Sequence, residues 1–174
     1  YKTALYTSPH LIDFRERIKV DGHMISQQAV VDFVQKNKAI IEEIKPSFFE
    51  LCVVMAFDYF AKENFDVAIV EVGMGGRLDS TNIIQPLLSI ITNISFDHMQ
   101  FLGDTLAKIA REKAGIIKEN TPVIISQRQS ECDEVFIEIA KEKNAKLVFA
   151  SDQFKAIDLN DSDLNILSMD VSSN

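Results

Sequence analysis

The sequence predicts an α/β domain with a largely parallel sheet flanked by helices. Three observations carry this reading. Short β-branched runs alternate with stretches whose apolar residues recur at helical spacing, as in strand–helix–strand units. Several of those runs are apolar without interruption, as strands covered on both faces of a parallel sheet are. The chain has 174 residues, 47% of them hydrophobic, about one domain on a prior of roughly 100–200 residues, with enough apolar material for a core.

The elements follow in order. Residues 4–7 form a short apolar strand that stops at Ser8-Pro9-His10, because proline drives the residue before it out of the helical region. Residues 17–25 alternate around Asp21-Gly22, a hairpin signal. Ser26 is an N-cap, and Val30, Val31, Phe33, Val34, Ile40, Ile41 and Ile44 mark one helix that Pro46 ends. Residues 48–62 are a second helix, apolar on most faces and therefore expected to be buried. Residues 66–71 are expected as a strand buried on both faces, and residues 87–94 as another, with the loop Gly73-Met74-Gly75-Gly76-Arg77 between them. Asp104 or Thr105 caps a helix reaching about Lys118; residues 122–126 are a strand, 132–143 a helix and 146–149 a strand. After Ser151 the chain turns acidic and polar, and only residues 164–169 hint at a further strand.

The formal net charge is −8, unevenly spread: residues 1–126 hold 16 acids and 13 bases, residues 127–174 hold 10 and 5. So acidic a balance is a poor partner for nucleic-acid phosphate, and any anion-binding chemistry is expected in the first two thirds. Cys52 and Cys132 show no metal or redox spacing, which predicts two reduced thiols in a cytoplasmic protein. No run approaches the roughly 18 apolar residues of a membrane span, and no basic-then-apolar leader opens the chain. The chain starts at Tyr1, within a predicted strand, so a piece of a longer protein is expected.

In open parallel sheets, ligands gather beyond the carboxyl ends of the strands. The first predicted strand runs into Ser8, the second ends at Glu71, and the third reaches Asp97 and His98. If these strands are neighbours, a hydroxyl, a carboxylate and an imidazole meet at one edge. Sparse ligation of that kind suits Mg2+, which keeps waters and substrate phosphates in its shell, better than tetrahedral zinc. Plainer readings stand beside it: Ser8 as a turn residue before proline, His98 as a helix cap. Glu71, directly after a strand expected to be buried, would need a partner.

The glycine loop does not fit the dinucleotide fingerprint, because Leu78 stands where the last glycine belongs and turn formers follow. Its glycines are expected to let the backbone approach a ligand, with Arg77 as a fixed cation. Lys113 by itself reads as a solvated helix lysine. Phe48-Phe49-Glu50 reads either as core or as a helix N-terminus that attracts an anionic or planar ligand.

Taken together, Thr7-Ser8-Pro9-His10-Leu11, Phe48-Phe49-Glu50, Glu71-Val-Gly-Met-Gly-Gly-Arg-Leu-Asp-Ser-Thr-Asn82, Thr92-Asn-Ile-Ser-Phe-Asp-His98, Leu102-Gly-Asp-Thr105 and Glu112-Lys-Ala-Gly-Ile-Ile-Lys118 resemble folylpolyglutamate synthase and dihydrofolate synthase of the Mur ligase superfamily. The resemblance covers roughly residues 1–150. It implies a P-loop NTPase-like central domain and an ATP-dependent ligase that joins L-glutamate to a folate or dihydropteroate carboxylate through an acyl phosphate. It implies Mg2+ held by Ser8 and Glu71, a second at His98, and Lys113 carbamylated, which would turn a cation into a metal-supporting anion. It places Ser47, Phe48, Phe49, Glu50, Leu78, Asp79 and Ser80 against the pterin substrate.

The sequence departs from the family in two respects: no Gly-x-x-x-x-Gly-Lys-[Ser/Thr] phosphate loop occurs in the 174 residues, so no ATP-binding residue is assigned, and no segment matches the family's C-terminal domain. Residues 1–150 are expected to be a central ATPase domain truncated on its N-terminal side, residues 151–174 an acidic part of the same domain, and the C-terminal ligase domain to lie elsewhere. Such a piece is expected to be inactive alone, and the full-length enzyme to be a monomer without nucleic-acid or membrane partners. A cell-wall ligase taking a UDP-linked acid, or a non-catalytic binding module, are the alternatives.

Overall fold

The structure, a computed structural model, describes residues 1–158 and 169–173, with side chains through Phe154. The chain forms two compact units, one of residues 1–74 and 79–84, the other of residues 75–78 and the chain from Gln85 on.

The first unit holds a mixed four-stranded sheet in the order β3-β2-β1-β4. Strand β1 (Thr3–Tyr6) lies between β2 (Ile18–Val20), antiparallel with Tyr6 opposite Ile18, and β4 (Val67–Val70), parallel with Tyr6 opposite Val70. The β2–β3 (His23–Met24) hairpin turns at Asp21 and Gly22, with φ of 50° and 77°, values that explain the Asp-Gly pair. Ser26 Oγ caps α1 (Gln27–Lys36) by accepting from the Ala29 N–H at 3.1 Å.

The single helix expected as far as Ile44 is instead two, α1 and α2 (Lys38–Ile44), broken at Asn37. Asn37 Nδ2 and its backbone N–H both donate to the Phe33 carbonyl, the local competition that makes asparagine a poor interior helix residue. Helix α3 (Phe48–Lys62) spans the expected residues and opens with a capping box: Ser47 Oγ accepts from the Glu50 N–H at 3.2 Å, and Glu50 Oε2 from the Ser47 N–H at 2.6 Å. Its Cys52, Val53, Met55, Ala56 and Phe60 pack with Ala4, Tyr6, Ile18, Val20, Ile25 and Phe33 into one core. The helix is buried as expected over these residues, while Phe48 and Val54 are exposed.

The second unit holds a parallel sheet in the order β5-β6-β7, made of β5 (Ser89–Ile91), β6 (Val123–Ile125) and β7 (Leu147–Phe149). Helices α4 (Met99–Leu102), α5 (Leu106–Ala114) and α6 (Asp133–Glu142) complete it. Its core joins Ile91, Val123, Ile125 and Phe149 to Ile109, Ala110, Ala114, Val135 and Phe136. Thr105, not Asp104, caps α5, and α5 stops at Ala114 rather than near Lys118, because the bonds that follow tighten to the 3-10 type, Ile117 N–H to Ala114 carbonyl at 2.9 Å. An antiparallel pair, β8 (Phe154–Asp158) with β9 (Met169–Ser173), follows where no element was assigned. Of the strand hint at residues 164–169, all but Met169 lies outside the described residues.

Burial of the two apolar strands is the main correction to the sequence reading. Among the described residues β4 pairs only with β1 and β5 only with β6, so each is an edge strand of its unit. Ile69 is 56% exposed and Ile90 58%, and β5 covers only three of the eight residues expected. Composition reports that a strand can be covered, while coverage itself requires neighbours on both sides. Among the described residues no helix is long and apolar enough to cross a membrane.

Candidate functional site

In the first unit the parallel register of β1 and β4 carries both chains to one sheet end, so the residues just past Tyr6 and Val70 meet. The Ser8 N–H donates to Glu71 Oε2 at 2.7 Å. The contact brings Ser8 and Glu71 together through the Ser8 backbone N–H and not through its hydroxyl. Glu71 itself is exposed, so the argument that it needs a partner because its strand is buried loses its premise. Exposure instead leaves Oε1 open to a ligand.

Around this pair stands a residue the sequence reading passed over. Arg17 is buried, and its Nε donates to His10 Nδ1 at 2.8 Å. Its guanidinium carbon lies 5.4 Å from the Phe48 ring centroid, within cation–π range. The donated bond fixes the acceptor nitrogen of His10, so the neutral ring carries its proton on Nε2. The alternation of residues 17–25 hid Arg17, because a charged residue at a strand start reads as solvent-facing. Phe48, 59% exposed, also meets Phe14 edge-on at 5.9 Å, an open aromatic face suited to a planar group. Phe49 packs instead against Gly73, where a Cβ would collide with its ring.

Two of the predicted substrate contacts are engaged locally. Glu50 closes the α3 cap through Oε2, and hydrogen bonding first to the Ser47 N–H and then to its side chain holds its carboxyl below the usual range. Asp79 Oδ2 accepts from the Gly73 and Met74 N–H groups at 3.1 and 3.0 Å, and Oδ1 from the Thr81 N–H and hydroxyl at 2.9 and 2.5 Å. It therefore organises the turn that leads into the short 3-10 helix Ser80–Ile83.

In the second unit Gly75, Gly76 and Arg77 of the glycine loop pack on α4 and α5. A Cβ on Gly76 would lie 2.8 Å from the Glu112 and Lys113 carbonyls, and one on Gly75 would lie 2.8 Å from Leu102. Arg77 pairs with Glu112 Oε1 at 3.0 Å, and its N–H donates to the Glu112 carbonyl, so Glu112 is what holds this cation in place. Leu78 stands 79% exposed. Lys113 follows Glu112, half-buried, with no side-chain hydrogen bond or ion pair among the described residues.

His98 takes the N-cap position of α4 in a left-handed conformation, φ 46°, and makes no side-chain cap bond, so capping does not occupy its imidazole. Asp97 Oδ1 accepts from the His98 N–H at 2.8 Å. Upstream, Gln129 binds the Ile94 N–H and carbonyl together at 2.7 and 2.8 Å. Gln129 was also missed: nothing in Ser126-Gln127-Arg128-Gln129 separates it from an ordinary polar loop.

Among the described residues no cluster of three His, Cys, Asp or Glu side chains could hold a metal. An all-protein cage is therefore absent there. Glu71 with neighbouring Ser8 offers hard oxygen donors of the kind that suit a magnesium ion sharing its shell with water and phosphate.

Comparison with known proteins follows the same lines. The family description "Mur ligase middle domain" matches residues 22–173. A dihydrofolate synthase/folylpolyglutamate synthase of Bacillus subtilis is 43% identical over 142 residues, covering 78% of this chain and 33% of that protein. The folylpolyglutamate synthase structure from Thermotoga maritima superposes with a TM-score of 0.87 at 36% identity, covering 99% of this chain and 41% of that one. A complex named as FPGS with AMPPCP and folate gives a TM-score of 0.82 at 34% identity, over 90% of this chain and 40% of the other. The chain thus spans about a third of the length of the curated relative.

Proposed function

The chain belongs to the Mur ligase middle-domain family, and from that premise we propose that the protein carrying it is an ATP-dependent ligase that adds L-glutamate to a folate or dihydropteroate carboxylate. What carries the reading is the identity to proteins named as folate–glutamate synthases, joined to a solved relative named as holding an ATP analogue and folate.

The chemistry has two steps. The γ-phosphoryl group of ATP passes to a carboxylate oxygen of the acid, giving an acyl phosphate and ADP. The glutamate amine then attacks the carbonyl carbon, the amide bond forms, and inorganic phosphate leaves with that oxygen. Glu71 and Ser8 would hold one magnesium ion and His98 a second. Bound there, magnesium would neutralise charge on the transferring phosphoryl group. The amine of Lys113, which makes no ion pair among the described residues, would add carbon dioxide and release a proton to become a carbamate. Phe48 would stack on the pterin, with Leu78 and Ser80 as further contacts. Ser47, Glu50 and Asp79 would hold the backbone that presents those groups, and Phe49 would lock the Gly73 turn. Both cysteines are free and buried, which suits a cytoplasmic enzyme.

The test uses the full-length protein with ATP and magnesium. Phosphate release should require both glutamate and a pteroate or folate acid, and Glu71→Gln should lower it by at least about 100-fold, the scale of lost electrostatic stabilisation. Release driven by a UDP-linked acid instead would assign the protein to the cell-wall ligases. Folate binding with no phosphate release would make it a binding module.

A further inference from the structure

We propose that Gln129 is a positioning residue for the segment that carries His98, acting through the backbone of Ile94; its link to function rests on the reading of His98 as a metal ligand. The β5–β6 ladder makes its last bond from the Ser126 N–H to the Ile91 carbonyl at 2.9 Å. Past that point Ile94 is still only 3% exposed, so its buried peptide groups need hydrogen-bond partners. The Gln129 carboxamide supplies both, Oε1 accepting the Ile94 N–H and Nε2 donating to the Ile94 carbonyl.

A carboxamide is the side chain this task requires. Glutamate accepts but cannot donate, lysine and arginine donate but cannot accept, and an apolar residue does neither. Gln129 is itself fixed. Its N–H donates to Asp133 Oδ1 at 2.8 Å, and its carbonyl accepts from the Cys132 and Asp133 N–H groups. Arg128 holds the other Asp133 oxygen at 3.1 Å and, on its far side, Asp152 at 2.7 Å, with its guanidinium 4.0 Å from the Phe149 ring centroid. The chain of fixed contacts thus runs from the ends of β6 and β7 through Gln129 to Ile94, four residues before His98. The clamp replaces the ladder where the strands part.

The experiment uses the full-length protein and Mn2+ as probe, counting bound metal by electron paramagnetic resonance and following Ile94 amide exchange by NMR. Gln129→Glu keeps the shape and removes the donor; it should weaken Mn2+ binding about 10–100-fold, the range for removing an outer partner of a metal site, and speed Ile94 exchange. If Gln129→Glu does not fold, Gln129→Asn, one methylene shorter, should weaken Mn2+ binding and speed Ile94 exchange relative to the unsubstituted protein, and unchanged values for both overturn the proposal. Val135→Ala, a core truncation in the same unit, should lower thermal stability without changing Mn2+ affinity, which separates positioning from general destabilisation. Unchanged Mn2+ binding in Gln129→Glu, with His98→Ala weakening it, overturns the proposal. If His98→Ala leaves Mn2+ binding unchanged, the ligand reading of His98 fails instead, and Ile94 exchange alone decides: unaltered protection in Gln129→Glu overturns the clamp.

Discussion

At Tyr6 the phenol is enclosed with no hydrogen-bond partner for its oxygen among the described residues. Burial pushes its pKa from the ordinary 10 up to about 12, against the opposing pull of the nearby Arg17 cation. The folded state therefore holds a proton that the unfolded chain gives up first. Stability from this source is whole below about pH 10 and is lost as pH rises through about 12. A rise of that size corresponds to about 2–3 kcal/mol, so Tyr6→Phe should abolish that alkaline loss. Urea unfolding of both proteins at neutral pH and near pH 11 checks this; equal alkaline loss in both would contradict it. The carboxylates show the same dependence on surroundings. Glu71, Glu50 and Asp79 all belong to motifs read from the sequence, yet Glu50 is engaged in a helix cap and Asp79 has both oxygens committed to a turn, while Glu71 lies exposed beside Ser8. Residue type and spacing identify the motif; the local hydrogen bonds decide which of its members can meet a ligand.

At the scale of elements, the glycine loop and α5 behave as one packed joint. Gly115 has an ordinary helical φ of −61°, so alanine suits its backbone, but a Cβ there would run into Arg77, whose backbone N lies at 2.8 Å from it. Gly115→Ala should therefore destabilise the protein by about 1–3 kcal/mol, the cost of overpacking, measured by denaturant midpoint; a stabilised variant, as helix propensity alone would give, would contradict the joint. Helix α3, the Asp21-Gly22 hairpin, α6 and the strands near residues 123 and 147 were legible from the sequence, because caps, turn residues and periodicity are local signals. What was not legible depends on partners. The exposure of Ile69 and Ile90 is set by which strands lie alongside. The break at Asn37 is set by one side-chain bond to Phe33. Arg17 and Gln129 gain their roles from His10 and Ile94, seven and thirty-five positions away.

At the scale of the whole molecule, the order of the motifs along the chain makes the family readable from sequence, and the match to residues 22–173 bears that out. The −8 charge fits the proposed chemistry, since an acidic chain that handles ATP needs cations to accompany the phosphate. The central claim is that a carboxylate is phosphorylated before the amine attacks. Heavy-oxygen label in the carboxylate of the folate or pteroate substrate tests it most directly, with the full-length protein, ATP, magnesium and glutamate. Each inorganic phosphate released should carry one labelled oxygen, because that oxygen leaves with the phosphoryl group when the amide forms. Product formation with all label retained in the amide or in water, and none in phosphate, would contradict it.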